Sequence, residues 1–240
     1  MKSGRIHNYI NKYSAAIEIA AGILGVAYLI YALRGMLITG DSMLPHDHIY
    51  WGYPVFQFYT ENIINGHFPL WNPFTHGGEP FFPIFMHLKF LDPVTLLTIS
   101  IGRLITSDIA ILYNWNYFLQ ILVTLSGVYW LLRSVSGNIF IRISLIPILL
   151  YSSFMLSPFR QAGIICQFMW VPFIIRFLLR IIYHKDYRWH NWIILGGLAG
   201  INWQSYYFAG TWTVLFAFLL GLFIFNRIRR VDTIYLGRLD

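Results

Sequence analysis

The sequence predicts an all-α, polytopic transmembrane bundle of about six spans, with a long outer loop that contains interfacial helices. Three observations predict this fold class. The 240-residue chain is 57% hydrophobic and only 11% charged, whereas soluble domains carry roughly 25% charged residues. Several apolar runs are long enough to cross a bilayer. The lysines and arginines behind the net charge of +7 stand in short clusters beside those runs, which orients membrane proteins and does not indicate nucleic-acid binding.

The apolar runs divide one membrane domain, residues 1–240, into segments. Residues 1–38 form the N-terminus and first span, 39–108 the outer loop, 109–226 five further spans, and 227–240 a tail. The spans are predicted at about Tyr13–Ile38, Ile109–Leu132, Ile139–Leu156, Ile164–Ile182, Trp192–Phe208 and Thr211–Phe225. With these crossings the basic clusters share one side, which the positive-inside rule makes cytoplasmic together with both termini.

The sequence of the outer loop predicts two short helices and an irregular stretch. Pro54 to Asn65 has one apolar face and one polar face, and is too short to span, so it is expected to lie along the interface. Its apolar face carries Val55, Phe56, Tyr59 and Ile63, and its polar face carries Gln57, Thr60, Glu61 and Asn65. Pro93 to Ile105 predicts a second interfacial or re-entrant helix. The prolines and glycines of Phe68 to Pro83 predict an extended, turn-rich loop without regular structure, packed onto the spans by Trp71.

Two loop aspartates are the main candidates for catalysis. Asp41 ends the first span, and Asp47 precedes the helix that starts near Pro54. A helix N-terminus favours an ionised carboxylate, which can act as a general base on a hydroxyl or share a divalent cation. The alternative is that both are caps or turn residues, as Asp92 is expected to be before Pro93.

The loop histidines make a weaker case for a metal site. His46 and His48 flank Asp47. In an extended segment the two rings point one way and the carboxylate the other, so spacing alone brings no three ligands together. Hydrogen-bonding histidines are the preferred interpretation, and no cofactor is predicted, with a divalent cation as the open alternative.

One set of motifs is ordered and specific. After Asp47 come Tyr53-Pro54, Asn65-Gly66, Pro69-Leu70-Trp71-Asn72-Pro73, Gly77-Gly78 and Pro80. Pro93, the span end Tyr129-Trp130-Leu131-Leu132-Arg133, and Trp170-Val171-Pro172 follow in the same order. This pattern, from roughly Asp41 to Phe216, resembles the YfhO-like bacterial membrane proteins, which belong to the multi-spanning glycosyltransferase class called GT-C.

The resemblance implies a GT-C-like fold in a bacterial inner membrane. It also implies that a sugar moves from a polyprenyl-phosphate carrier to an acceptor glycan, lipid or protein at the outer face. In such enzymes an acidic residue of the first outer loop is the base, and Asp47 matches it best by position, with Asp41 second. Arg103, Lys89 and Arg160 are expected near the donor phosphate, and the motif residues Trp71, Asn72 and Glu79 complete the expected substrate-binding set.

A second hypothesis is a non-catalytic membrane protein, either a transporter or an assembly subunit for lipid-linked sugars or cell-envelope polymers. Relatives of the resembled family usually carry more spans, so the length also fits a fragment, a minimal relative or a partner subunit. Coupled transporters place ionisable residues at mid-membrane. The polar residues predicted there are mostly amides, and Arg176 is the one charge deep enough to consider. This argues mildly against ion coupling.

Overall fold

The structure is a computed structural model that describes residues 2–74, 77–81, 83–84, 88–150, 163–182 and 185–203. The described part is almost entirely helical. Three segments are long and apolar enough to cross a membrane, namely Ala15–Ala32, Ile109–Val135 and Ile164–Ile182. The helical fold class is therefore confirmed, with three candidate spans. The predicted sixth span and the ends of the third and fifth lie outside the described residues.

The regular elements follow the predicted order. The helices are α1 (Lys2–Ala32), α2 (Tyr53–Ile64), α3 (Pro93–Gly102), α4 (Ile109–Val135), α5 (Ile139–Leu150), α6 (Ile164–Phe168), α7 (Val171–Ile182) and α8 (Trp189–Trp203). π-Helical turns at Gly35–Thr39 and His48–Gly52 precede α2, and two short strands, β1 (Trp71–Asn72) and β2 (Glu79–Pro80), follow it.

Helix α4 is the centre of the bundle. It begins at Asp108, whose carboxylate accepts hydrogen bonds from the amides of Ala110 and Ile111 at 2.7 and 3.3 Å, as an N-cap residue does. One turn later the Asn114 amide donates to the carbonyls of Met36 and Ser42. These bonds fix the segment that leaves α1 against the first turns of α4.

Helix α2 is confirmed within one residue of its predicted ends. Val55, Phe56 and Tyr59 are buried, and they form the main apolar core together with residues of α4. The predicted apolar face therefore points into the protein. The prediction for Thr60 is wrong, because this side chain is fully buried. Threonine occurs in both buried and exposed positions, so its hydroxyl group alone does not predict which face of the helix it occupies.

The stretch from Phe68 to Pro83 is more regular than predicted. Strands β1 and β2 pair antiparallel, with Trp71 opposite Pro80 and Asn72 opposite Glu79. Gly77 and Gly78 adopt positive φ angles of 78° and 107°, which glycine tolerates and which allow the tight return of the chain. The expectation that Trp71 packs onto the spans is also wrong, since its ring covers Gly78 and is 55% exposed.

Helix α3 confirms the short helix predicted at Pro93. The Asp92 carboxylate accepts from the Val94 amide at 2.9 Å, so Asp92 is the predicted cap. The predicted fourth span is divided, because turn residues Met169 and Trp170 separate α6 from α7. Pro172, in the first turn of α7, has no amide hydrogen to donate, which is consistent with an interruption there.

The basic helix ends lie together at one end of the bundle. Arg142, near the start of α5, forms an ion pair with Glu18 of α1. Arg176 of α7 donates to the Trp130 carbonyl, one turn before Arg133 at the end of α4. The loop with Asp41 and Asp47 leaves the opposite end, where α1 meets the start of α4. The described basic clusters are thus separated from the loop with its aspartates, and the six spans and the cytoplasmic termini stay predictions.

The contact between α4 and α7 generates a stability prediction. A Cβ atom at Gly127 would stand 2.5 Å from the Phe173 ring, which itself packs between Trp130 and Trp170. Overpacking of this kind costs about 1–3 kcal/mol. We expect Gly127→Ala to lower the midpoint of thermal unfolding of the detergent-purified protein, followed by tryptophan fluorescence.

Gly196→Ala is the matched control. Gly196 also lies within a helix, and a Cβ atom there would meet nothing within 4 Å. This variant should match or slightly exceed the wild-type midpoint, because alanine is the better helix former. Equal midpoints for the two variants would contradict the close approach of α4 and α7.

Candidate functional site

Asp47 sits at the start of a helical segment with its side chain exposed. It occupies the N-cap position of the π-helical turn His48–Gly52, which runs directly into α2, and its carboxylate makes no capping hydrogen bond. The carboxylate is therefore close to the positive end of a helix and accessible to a substrate. Asp41 is also exposed, in the segment between the two π-helical turns.

His48 fixes the backbone beside Asp47. The imidazole is fully buried, and its Nδ1 atom lies 2.7 Å from the Tyr113 hydroxyl. Its ring also meets Tyr117 edge-on, with the ring centroids 4.4 Å apart. Both tyrosines belong to α4. The buried anchor therefore holds the backbone at Asp47, while the Asp47 carboxylate stays in contact with solvent.

The expected geometry of the His46–Asp47–His48 triplet is wrong. Its three residues do not alternate as in an extended strand, because His46 is exposed in a left-handed turn with φ 57° and His48 is buried. The chain folds into a helical turn at this point. Among the described residues, no three histidine, cysteine or acidic side chains stand close enough to hold a metal ion.

Tyr117 connects this anchor to α6. Its hydroxyl accepts a hydrogen bond from the Gly163 amide at 2.8 Å. Gly163 precedes α6 with a φ of 85°. The position of Asp47 thus depends on α4 and, through Tyr117, on the start of α6.

The three motif residues predicted to bind substrate meet in the hairpin, where their environments differ. Trp71 is exposed, Glu79 is half-buried, and Asn72 is buried. The Asn72 side-chain oxygen accepts from the Phe74 amide at 3.0 Å, so it closes the turn in the manner of an Asx motif. Trp71 and Glu79 are the members of the set that a ligand can reach.

Lys89, expected near a donor phosphate at the outer face, is fully buried. Its ammonium donates to the Asn202 side-chain oxygen of α8 at 2.7 Å. Burial lowers the pKa of Lys89 below its ordinary value, and the nearby carboxylate of Asp92 opposes that change. A phosphate would reach Lys89 only if the surrounding helices separated.

Asp92 is the buried counterpart of Lys89. Besides capping α3, its carboxylate accepts a 2.5 Å hydrogen bond from the Trp170 indole. Burial raises the pKa of Asp92, while the Trp170 and Val94 hydrogen bonds and the charge of Lys89 oppose the change. The pair therefore links α3, the α6–α7 junction and α8 inside the bundle.

A small cavity of about 10 Å³ lies between the His48–Gly52 turn, the Leu88–Phe90 turn, α4 and α6. This is room for about one water-sized group. Asn116 and Gln120 line it, and each has a buried side-chain oxygen that accepts no hydrogen bond in the described structure. Both oxygens need a donor, so the cavity suits one water-sized hydrogen-bond donor.

The remaining predicted phosphate-binding residues are two arginines. Arg103 follows α3 and is half-buried, and its guanidinium donates to the Ser107 carbonyl at 2.7 Å. Arg160 lies outside the described residues. Of the predicted phosphate-binding residues that the structure describes, Arg103 is the one whose guanidinium keeps donors available near the surface.

The sequence reasoning missed His48, Tyr113 and Tyr117 as the support of the site. The two tyrosines are four residues apart, so they share one face of α4. That spacing was a usable signal, but nothing in the sequence indicated which buried partner they contact. Asp92 was expected to be only a cap because an aspartate before a proline has that role whether or not it is buried.

The sequence matches no protein-family model and no curated protein, and the structure matches no solved structure.

The Asp92–Trp170 bond generates a prediction about stability. Trp170→Phe removes the indole donor and leaves a buried carboxylate oxygen without it, which costs about 1.5–3 kcal/mol for a hydrogen bond to a charged group. We expect a clear fall in the unfolding midpoint, measured by circular dichroism in detergent.

The matched control is Trp115→Phe. The Trp115 indole donates to the Leu37 carbonyl at 2.7 Å, a neutral bond worth about 0.5–1.5 kcal/mol. Loss of this hydrogen bond should lower the unfolding midpoint less than loss of the Trp170–Asp92 bond does. A smaller effect at Trp170 would mean that the Asp92 carboxyl is not charged or not held by this indole.

Proposed function

We propose that this protein is a membrane glycosyltransferase of the GT-C type, with six spans and both termini cytoplasmic in a bacterial inner membrane. It moves a sugar from a polyprenyl-phosphate carrier to an acceptor hydroxyl on a glycan, lipid or protein at the outer face. Asp47 is the general base. The observation that carries the proposal is the Asp47 carboxylate, exposed and without a capping bond at a helix start that buried His48 holds in place.

The position of Asp47 supports this assignment. It belongs to the loop end of the bundle, away from the basic helix ends near Arg133 and Arg142. A donor with a lipid tail and a water-soluble acceptor can meet only at the boundary between membrane and water. A general base must be accessible there and positioned by the protein. The exposure of Asp47 and the buried anchor His48 next to it support the assignment.

The proposed reaction is an inverting displacement. The Asp47 carboxylate takes the proton of the acceptor hydroxyl while the acceptor oxygen attacks the anomeric carbon of the sugar. The bond between that carbon and the phosphate oxygen breaks, and its electron pair leaves with the lipid phosphate. Arg103 and Arg160 stabilise the developing charge on the phosphate, as guanidinium groups do.

The hairpin is the proposed acceptor side of the site. The exposed indole of Trp71 offers an apolar ring face, and the half-buried carboxylate of Glu79 lies on the paired strand. An aromatic face beside a polar group binds a molecule that has both apolar and hydroxyl-bearing surfaces. Asn72 contributes by keeping the turn closed.

One observation favours the second candidate function, a transporter or assembly subunit. Lys89 and Asp92 lie outside the three candidate spans but are fully buried between helices, and buried ionisable residues of membrane proteins commonly have a function such as transport. A transporter would depend on this pair and would tolerate a change at Asp47. An enzyme of the proposed kind would show the opposite dependence.

The experiment is a sugar-transfer assay on membranes that contain the protein, with radiolabelled polyprenyl-phosphate sugars as donors. Asp47→Asn keeps the size of the side chain and removes the base. We expect the rate of transfer to fall by about 10²–10⁴-fold, the usual contribution of general base catalysis. Thin-layer chromatography of the lipid fraction measures donor consumption.

Asp41→Asn is the matched control, because Asp41 is an exposed aspartate of the same loop. It should retain near wild-type transfer, and both variants should be expressed and unfold at the wild-type temperature. Transfer lost in Asp41→Asn and kept in Asp47→Asn would move the base to Asp41. Full activity in a folded Asp47→Asn protein would remove Asp47 from the mechanism.

A further inference from the structure

Arg176 lies inside a candidate span and has an unusual environment. Its guanidinium carbon stands 4.1 Å from the centroid of the Trp130 ring, and NH1 donates to the Trp130 carbonyl at 2.9 Å. These contacts hold the planar group against α4. They use one donor, and the side chain remains partly exposed, so further donors stay available at the edge of the guanidinium.

The acidic side chains that the structure describes at this end of the bundle are paired with arginines. Glu18 binds Arg142, and Asp186 binds both Arg180 and Arg188. Within the described residues, neither Arg176 nor Arg133 forms a salt bridge. A positive charge in a span without an acidic partner is costly, and such residues usually have a functional partner.

Helices α4 and α7 bring three arginines to one place. The two helices run in the same direction, since Gly127 faces Phe173 and Trp130 faces Phe177 further along both. Arg133 lies one turn beyond Trp130. Arg180 lies one turn beyond Arg176 on the other helix. Because Arg176 itself contacts Trp130, Arg133 and Arg180 flank it on the two helices.

We propose that Arg133, Arg176 and Arg180 form a binding site for the phosphate of an anionic phospholipid at the basic end of the bundle. Arg133 and Arg176 repel one another without a carboxylate to offset that repulsion, and a phosphate placed beside them would do so. Arg180, whose Nε donates to Asp186, adds its remaining guanidinium donors. Guanidinium groups bind phosphate oxygens in a bidentate manner. The site is separate from the proposed catalytic site at the loop end and does not depend on it.

The surroundings indicate a lipid as the source of the phosphate. Val135 and Ile182, at the ends of α4 and α7, are 70% and 55% exposed. Exposed apolar residues beside a basic group suit an acyl chain next to its headgroup. Basic pockets between transmembrane helices on the cytoplasmic side are known to bind anionic lipid headgroups.

The experiment measures the unfolding midpoint of the purified protein in mixed micelles, titrated with phosphatidylglycerol or with phosphatidylcholine. We expect phosphatidylglycerol to raise the wild-type midpoint more than phosphatidylcholine does. Arg176→Gln should need about fivefold more phosphatidylglycerol for the same shift, since one basic group near a membrane contributes about 1 kcal/mol. Arg133→Gln changes an exposed residue and should raise the required phosphatidylglycerol concentration by a similar factor. It replaces Arg176→Gln in the test if that variant does not fold.

Arg34→Gln is the matched control. The Arg34 guanidinium also stacks on an aromatic ring, 4.6 Å from the Tyr31 centroid, and donates to the Tyr31 carbonyl at 3.0 Å. It lies at the opposite end of the bundle, so this variant should respond to phosphatidylglycerol like the wild type. A wild-type response that does not distinguish the two lipids would overturn the proposal, as would unchanged phosphatidylglycerol responses in both site variants.

Inorganic phosphate tests whether the site binds the phosphate of a lipid headgroup or free phosphate. It should leave the wild-type midpoint unchanged at phosphate concentrations where phosphatidylglycerol raises it. If inorganic phosphate stabilises the wild type as well as the lipid does, and Arg176→Gln abolishes that effect, the site takes a soluble anion and the lipid assignment is wrong.

Discussion

The bundle depends on the way α4 satisfies backbone groups that the end of the first span leaves unpaired. Carbonyl groups inside an apolar environment need donors, because no water is available there. The Asn114 amide and the Trp115 indole supply donors to the carbonyls of Met36, Leu37 and Ser42. The chain can therefore leave α1 through a π-helical turn and still pack against α4, which sets where the outer loop begins.

The same helix carries the support of the candidate site. Tyr113 and Tyr117 lie on either side of Asn114 in sequence, and they hold His48 and the start of α6. One short stretch of α4 thus anchors both the turn beside Asp47 and the start of α6. Buried polar networks of this kind rigidify a structure when their hydrogen bonds are satisfied. This network holds the turn that presents the exposed Asp47 carboxylate, which makes no capping bond of its own.

Local patterns predicted the local structure well. Helix α2 was predictable from a proline at its start, an apolar face and a following glycine. Helix α3 and its cap were predictable from the Asp-Pro sequence. The tertiary partners were not predictable from such patterns. Lysine is usually exposed, yet Lys89 is buried with its ammonium bound to Asn202, 113 residues later in the chain. The hairpin was missed because prolines and glycines mark a turn without showing whether its arms pair.

The ion pair between Glu18 and Arg142 constrains how the protein is made. Its two residues are 124 positions apart in the chain, so the first span leaves the ribosome long before its partner exists. A translocon must accept that span with a carboxyl group not yet neutralised by the arginine. Once α5 emerges, the pair can close and hold the two helices together. Assembly of this bundle therefore has a late step, in which α1 packs against α5 after α5 has been synthesised.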